Sequence, residues 1–325
     1  MQVAKRLLAK MAGIVAAILV IATINFALVH AAPGDPATVI AGQSGATDEK
    51  FLNELRAEYG LDKPFLVQLG TYLGKVVTLD LGYSYRQRRP VSDLILERLG
   101  PTLLLTLSAF FLSLIGGVLF GTLAGIRHGK WSDLAISMLA LLLYATPVFW
   151  LGLMLVLVFS IQLGWLPAFG YSDIRASSFG AVEYALDVAT HLLLPAITLS
   201  AIYMAVYTRL MRSSLIEVAA EDHVKTARAK GLTEPAILRG HMLRNAALPV
   251  ITFAGLQVGA LIGGAVVVET VFSWPGLGRL TFDAVTTRDY PVLLGLFLVM
   301  SILVIFVNLL TDLLHRLIDP RIAVR

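Results

Sequence analysis

Apolar residues run through this chain in long blocks rather than in short alternations. Six stretches are long enough to cross a bilayer: residues 11–29, 103–126, 134–163, 191–211, 250–271 and 292–314. A membrane helix needs about 20 mostly apolar residues, because the hydrocarbon core is about 30 Å thick and each residue rises about 1.5 Å. The pattern therefore predicts an all-α polytopic membrane protein with six transmembrane helices. The third stretch is long enough to tilt or to begin before the membrane. Lys5, Arg6 and Lys10 precede the first, as in a signal peptide. The length of that run, with no clean small-x-small site before Pro33, favours a retained anchor.

The polar segments between the blocks have patterns of their own. In residues 31–100, Pro33 and Pro36 block helix continuation at the membrane exit. The stretch TDEKFLNELRAEYG reads as a helix, with Thr47 to cap it and Gly60 to end it. Residues 213–230 read as one helix with a narrow apolar stripe of Leu215, Val218, Ala219 and Val224. Glu221 and Lys225 stand at i,i+4 in the favourable order. Gly231 is placed to end this helix in the left-handed conformation. Thr233 can cap a second helix, with Pro235 in its first turn. Pro249 marks the entry to the fifth span.

Composition strengthens the membrane reading. Of 325 residues, 57% are hydrophobic and 15% charged. A soluble domain has roughly 45–50% and about 25%. The formal net charge of +4 gives no reason to expect nucleic acid, since the basic residues gather at the ends of apolar blocks. The chain has no Cys, so disulfides and cysteine-based chemistry are excluded. The positive-inside rule then orients the spans. With the N-terminus in the cytoplasm, the inner segments collect Lys5, Arg127, Lys130, Arg212, Arg228, Lys230 and Arg316, among others. The long segment 31–100 is also basic, but long loops translocate largely regardless of charge. Both termini are expected in the cytoplasm.

Two spans carry small residues four apart: Gly117, Gly121 and Gly125 in the second, and Gly255, Gly259 and Gly263 in the fifth. Close backbone approach is what packs helices in lipid, so these stripes predict helix packing. Ionisable residues are scarce within the spans. Glu269, Asp312 and His315 all fall near span ends. A proton-coupled carrier is expected to place a carboxylate or histidine at mid-span. Neither G-x-x-x-x-G-K-[ST], G-x-S-x-G nor H-E-x-x-H occurs. The near-match GIRHGKW at 125–131 has one residue too few between its glycines, and Trp131 where Ser or Thr must hold magnesium. No catalytic, cofactor or metal site is expected, and nothing in these motifs points to an enzyme.

The charged motifs are more specific. EDHVKTARAKGL at 221–232, followed by HMLRNAALPVIT at 241–252, resembles the cytoplasmic signature of bacterial binding-protein-dependent ABC transporter permeases. PGDPA at 33–37, YGLDKP at 59–64 and LDLGYSYRQRRPV at 79–91 are similar to the first-permease subfamily of its dipeptide, oligopeptide and nickel branch. So are TPVFWLGL at 146–153, VETVFSWPGLGRL at 268–280, RDYPV at 288–292 and VNLLTDLLHRLIDPR at 307–321. The match covers nearly the whole chain in order. One departure is His223, where such sequences more often carry Tyr.

The resemblance implies a type I ABC importer permease fold with a cytoplasmic coupling helix. It divides the chain into an N-terminal helix (1–30), a periplasmic segment (31–100), a core of five helices (101–315) with a coupling segment at 213–248, and a cytoplasmic tail (316–325). It implies two ABC ATPase subunits, a second related permease and a periplasmic solute-binding protein as partners, in the bacterial inner membrane. Peptides are the expected cargo. Nickel or another small solute is the alternative, and a stand-alone secondary carrier or a membrane-embedded enzyme a more distant one. The ATPase contact would comprise Glu221, Asp222, Lys225, Thr226, Ala227, Arg228, Ala229, Lys230, Gly231 and Leu232. Small Ala side chains would seat the helix, and Arg228 and Lys230 would meet acidic groups. The periplasmic loop of Trp274, Pro275, Gly276, Leu277 and Gly278 is expected at the membrane interface, with Phe272 and Trp274 in the aromatic belt. It is a candidate gate or binding-protein contact through Leu277.

Overall fold

The computed structural model describes residues 2–31, 49–58, 62–84 and 86–318. The turn at Pro33 and Pro36, the Thr47 cap, the Gly60 stop and the tail from residue 319 lie outside the described residues. Helices dominate: α1 (Gln2–Ala31), α2 (Glu49–Glu58), α3 (Phe65–Val77), α4 (Val91–Ile126), α5 (Trp131–Ala145) and α6 (Val148–Leu155). They continue with α7 (Ala181–Ala219), α8 (Asp222–Ala229), α9 (Glu234–Ile237), α10 (Leu243–Val271), α11 (Leu277–Thr287) and α12 (Tyr290–Ile318). Among the described residues the exception is a short antiparallel hairpin, β1 (Tyr83–Ser84) with β2 (Arg89–Pro90), pairing Tyr83 with Pro90 and Ser84 with Arg89.

Four helices are long and apolar enough to cross a membrane by themselves, and two bent pairs raise the number to six. The third predicted span is one of those pairs. Pro147 has no N–H to donate and pushes Thr146 out of the helical region, to φ −81° and ψ 128°. The chain bends by 109° between α5 and α6. Beyond Leu155 the helix widens to π geometry over Val156–Gln162. The other bend, 57°, falls between Leu261 and Gly263 of α10, where Gly263 and Gly264 adjoin. The X-Pro and Gly-Gly steps break these spans because each removes a backbone constraint that keeps a helix straight.

The long helices run past their apolar blocks, α4 and α7 furthest at their N-terminal ends. α4 begins at Val91 rather than 103, because Val91, Leu94 and Ile95 form a buried stripe at helical spacing. α7 spans 39 residues and carries Pro195 inside it.

The chain forms two compact units. In the first, comprising Met1–Gly100 and Arg279–Phe306, α3 lies along α1. Val76 packs with Ala22 and Leu298, the Phe26 and Tyr72 rings stack at 5.3 Å, and His30 Nε2 is 3.2 Å from Gln68 Oε1. In the second, comprising Pro101–Gly278 and Val307–Arg325, α5, α6 and α10 pack on α7. From Leu194 to Ala201 α7 is buried on nearly every side, and from there to Val218 its inward positions fall on one face, at Ala205, Thr208, Met211, Leu215 and Val218.

Candidate functional site

The charged segment starts where α7 stops. Ala220 closes the helix, and Glu221 takes an extended conformation at φ −73° and ψ 152°. Residues 213–230 are therefore two helices rather than the one expected, with the break at Ala220. α8 is eight residues long and has only two inward side chains, Val224 and Ala227, at 0% and 4% exposure. With Ile237 of α9 they enter a cluster containing Tyr207, Met211, Leu215 and Val218 of α7 and Met242, Ala246 and Val250 beyond. The spacing of one helical turn fits a single inward stripe on a short helix.

Gly231 ends α8 as expected, with φ +78°. Its N–H donates to Arg228 O at 2.9 Å, and Leu232 N donates to Ala227 O at 3.3 Å. This pair of bonds is the Schellman arrangement, which turns the chain sharply and satisfies two end carbonyls. Thr233 occupies the cap position of α9, with Pro235 in the first turn, but its hydroxyl makes no capping bond.

The outward face of this segment presents Glu221, Asp222, Lys225, Thr226, Arg228, Ala229, Lys230, Gly231 and Leu232, all exposed. Ala227 does not belong with them. Its methyl is buried in the cluster, because i,i+3 spacing from Val224 puts it on the same stripe. The charges also pair differently from expectation. Lys225 Nζ donates to Asp222 Oδ1 at 2.9 Å, and Glu221 faces His223 Nδ1 at 3.0 Å. Glu221 stands at the N-cap with extended backbone, and its carboxylate turns to His223 while Lys225 takes Asp222. Arg228 Nε donates to Glu234 Oε1 at 2.9 Å, and that hydrogen bond pushes the guanidinium pKa up. Exposed pairs of this kind contribute about 0–1 kcal/mol. They hold charges in place more than they stabilise the fold.

Eight residues before the break at Ala220, α7 takes part in a feature missed in the sequence. Asp133, in the first turn of α5, is 4% exposed. It accepts from Arg212 of α7 through Nε at 2.5 Å and Nη2 at 2.8 Å. Gly129 N donates to it at 2.9 Å, Ser137 Oγ at 3.3 Å, and His128 Nδ1 lies 3.3 Å away. The two-pronged guanidinium contact fixes direction as well as distance. A legible signal was a lone acid at the head of an apolar helix, where the helix dipole favours negative charge.

The first glycine stripe packs against α7. A Cβ on Gly117 would overlap Tyr207. One on Gly121 would sit 2.6 Å from Met211 Cβ and from Thr208 O, and one on Gly125 would sit 2.8 Å from Leu215 Cδ2. The second stripe behaves otherwise. Gly255 and Gly259 are partly buried, whereas a Cβ on Gly263 would meet nothing within 4 Å. The inward face of α10 carries Ala254, Leu261, Ala265 and Val268 instead, so Gly263 does not pack within this unit.

The loop after α10 is a buried knot rather than an interfacial anchor. Phe272, Trp274 and Leu277 are at most 1% exposed, Gly276 and Gly278 are buried, and Pro275 is half-buried. Trp274 Nε1 donates to Pro101 O at 2.9 Å. Thr102 Oγ1 donates to Glu269 Oε1 and accepts from Leu277 N, each at 2.7 Å. A Cβ on Gly276 would overlap the Glu269 carboxylate. Aromatic residues beside Pro and Gly predict both belts and tight turns. Here burial of the indole N–H against the Pro101 carbonyl decides for the turn, and Leu277 is not a surface residue.

Among the described residues no group of three His, Cys, Asp or Glu side chains is placed to hold a metal ion. The long apolar helices and the short charged helix held by two side chains describe a membrane protein with one ordered polar segment. Residues 117–324 match the family of binding-protein-dependent transport system inner membrane components. Residues 3–106 match the N-terminal family of such components. The chain is 42% identical over 318 residues to the dipeptide transport system permease protein DppB of Escherichia coli strain K12, covering 93% of this chain and 94% of that one. It is 40% identical over 320 residues to the glutathione transport system permease protein GsiC of the same strain, covering 98% of each. Among solved structures, the MetNI methionine ABC transporter in an inward-facing conformation aligns at a TM-score of 0.55. It is 18% identical and covers 70% of this chain and 96% of that chain. The chain belongs to the binding-protein-dependent transport permeases, in the branch that holds dipeptide and glutathione permeases, and has the fold of an ABC importer membrane subunit.

Proposed function

We propose that this chain is one of two related permease subunits that form the path for short peptides across the bacterial inner membrane. Two separate ABC ATPases power the path and a periplasmic binding protein feeds it. The observation that carries the cargo is similarity along nearly the full length to permeases for a dipeptide and for glutathione, itself a small peptide. The exposed face of α8 and the turn at Gly231 and Leu232 would seat in a groove on one ATPase. The short inward stripe of Val224 and Ala227 would pass that subunit's movement into α7. Both termini would lie in the cytoplasm, residues 31–100 on the periplasmic side, and 101–315 would form the transport core.

The test is affinity purification of the chain from its native membrane in mild detergent, with mass spectrometry of co-purifying proteins and labelled-dipeptide uptake in reconstituted vesicles. Recovery of an ATPase, a second permease and a binding protein, with ATP-dependent uptake, is the expected result. Recovery of the chain alone, under conditions that keep a known importer intact, would overturn the assembly.

A further inference from the structure

The hydrophobic cluster under α8 reaches α7 and α10, and the stripe of Gly117, Gly121 and Gly125 brings α4 onto α7. Neither contact takes hold of the turn that joins α4 to α5. Within that turn, His128 N donates to Gly125 O at 3.3 Å, Lys130 N donates to Arg127 O at 2.9 Å, and Gly129 takes φ +76°. Asp133 binds the turn from one side through Gly129 N, and Arg212 binds Asp133 from the other. Arg212 Nη2 also lies 3.2 Å from His128 Nδ1. The carboxylate is thus the hub through which the turn, α5 and α7 share one set of hydrogen bonds.

Position makes this hub more than a local brace. Arg212 lies eight residues before the break at Ala220. At about 1.5 Å per residue that is roughly 12 Å along the same helix. Leu215 and Val218 line the interval, Met211 lies just before it, and all three belong to the cluster that holds Val224 and Ala227. A displacement of α8 therefore reaches Arg212 along a rigid, packed helix. Beyond Arg212 the route to the turn is polar and directional. An ion pair with a two-pronged grip resists rotation as well as separation, whereas apolar contacts slide.

We propose that the Asp133–Arg212 pair is a positioning link that makes the α4–α5 turn travel with the coupling segment. Its loss lowers uptake per ATP hydrolysed and leaves assembly in place. This inference rests on the coupling role proposed above for α8. Asp133 keeps Gly129, Ser137 and His128 as partners when Arg212 is replaced, so the fold is not left with a bare buried carboxylate.

The test uses the purified complex in vesicles, with labelled-dipeptide uptake and ATP hydrolysis measured in the same preparation. Arg212→Gln and Asp133→Asn are each expected to lower the ratio of uptake to hydrolysis by about fivefold or more, the lower end of coupling between distant sites. The double variant should be no worse than either single one, because two members of one pair are removed only once. Arg212→Lys, which keeps the charge but not the fork, should fall between. An unchanged ratio with a normally assembled complex overturns the proposal, as do effects that multiply in the double variant. Failure of the parent chain to recover an ATPase would instead overturn the function proposed above. The link is then judged on the detergent-purified chain by hydrogen–deuterium exchange. Arg212→Gln should speed exchange at residues 127–131, and unchanged rates there would sink it.

Discussion

Thr102 and Glu269 are 167 residues apart in sequence and share a 2.7 Å hydrogen bond in a site closed to solvent. The same hydroxyl accepts from Leu277 N, so a single Thr uses its donor and an acceptor site to tie α4, α10 and α11 together. Thr102→Val keeps the shape and removes both bonds. Stability in detergent should fall by about 1–3 kcal/mol, since a lost bond to a buried polar group costs that much. Thr102→Ser should recover most of it. Thermal unfolding followed by intrinsic fluorescence measures both, and equal stability of the Val and Ser variants would contradict the assignment.

The two glycine stripes should respond differently. Gly121→Ala places a methyl 2.6 Å from the Thr208 carbonyl, which is backbone and cannot swing away. Overpacking of this kind costs about 1–3 kcal/mol. Gly263→Ala meets open space, so the isolated chain should melt as the parent does. If the second permease lies against that face, Gly263→Ala should lower its recovery in a pull-down while the chain alone stays stable.

On α8 the two Ala side chains separate folding from docking. Ala227→Leu overfills a buried cluster and should destabilise the chain by about 1–3 kcal/mol. Ala229→Leu sits on the exposed face and should leave the melting curve unchanged while reducing ATPase recovery. Gly231→Val forces a β-branched residue to φ +78° and should do both. Equal effects of the two Ala variants on ATPase recovery, at equal stability, would argue against the face assigned here.

Asp289 gives a pH dependence. It is 7% exposed, and burial raises its pKa above the ordinary 3.8, partly opposed by the hydrogen bond from Ser84 Oγ at 2.5 Å. A folded-state pKa above the unfolded one means the folded chain binds the proton more tightly. The stabilising contribution is then present below the ordinary value and is lost as pH rises through the raised one. The parent should gain thermal stability relative to Asp289→Asn as pH falls from neutral toward 3.8. Parallel curves for the two proteins would show that Asp289 carries no such linkage.

Legibility in the sequence followed the range of the forces involved. Gly231 and Pro235 were placed correctly because left-handed backbone and the first helical turn are local requirements. The blocks that cross the membrane were read because bilayer thickness sets a length any window detects. The charged motifs marked the exposed segment, although the break at Ala220 left no strong punctuation to read. Asp133 escaped notice because its partner Arg212 lies 79 residues on, and only packing of α5 on α7 brings them together.

By itself the sequence determined an all-helical membrane chain with a structured polar insert, and its motifs determined the family. Hydrophobic length, helix punctuation and residue order are properties of a linear string. Tertiary structure alone decided which faces are inside. It buried Ala227 and left Ala229 exposed, and it packed Gly121 while leaving Gly263 open. It also turned the Trp274 loop from a membrane anchor into a buried knot around Glu269. In each case a small or amphipathic residue fits two environments equally well, and the deciding energy comes from a neighbour supplied by a distant part of the chain.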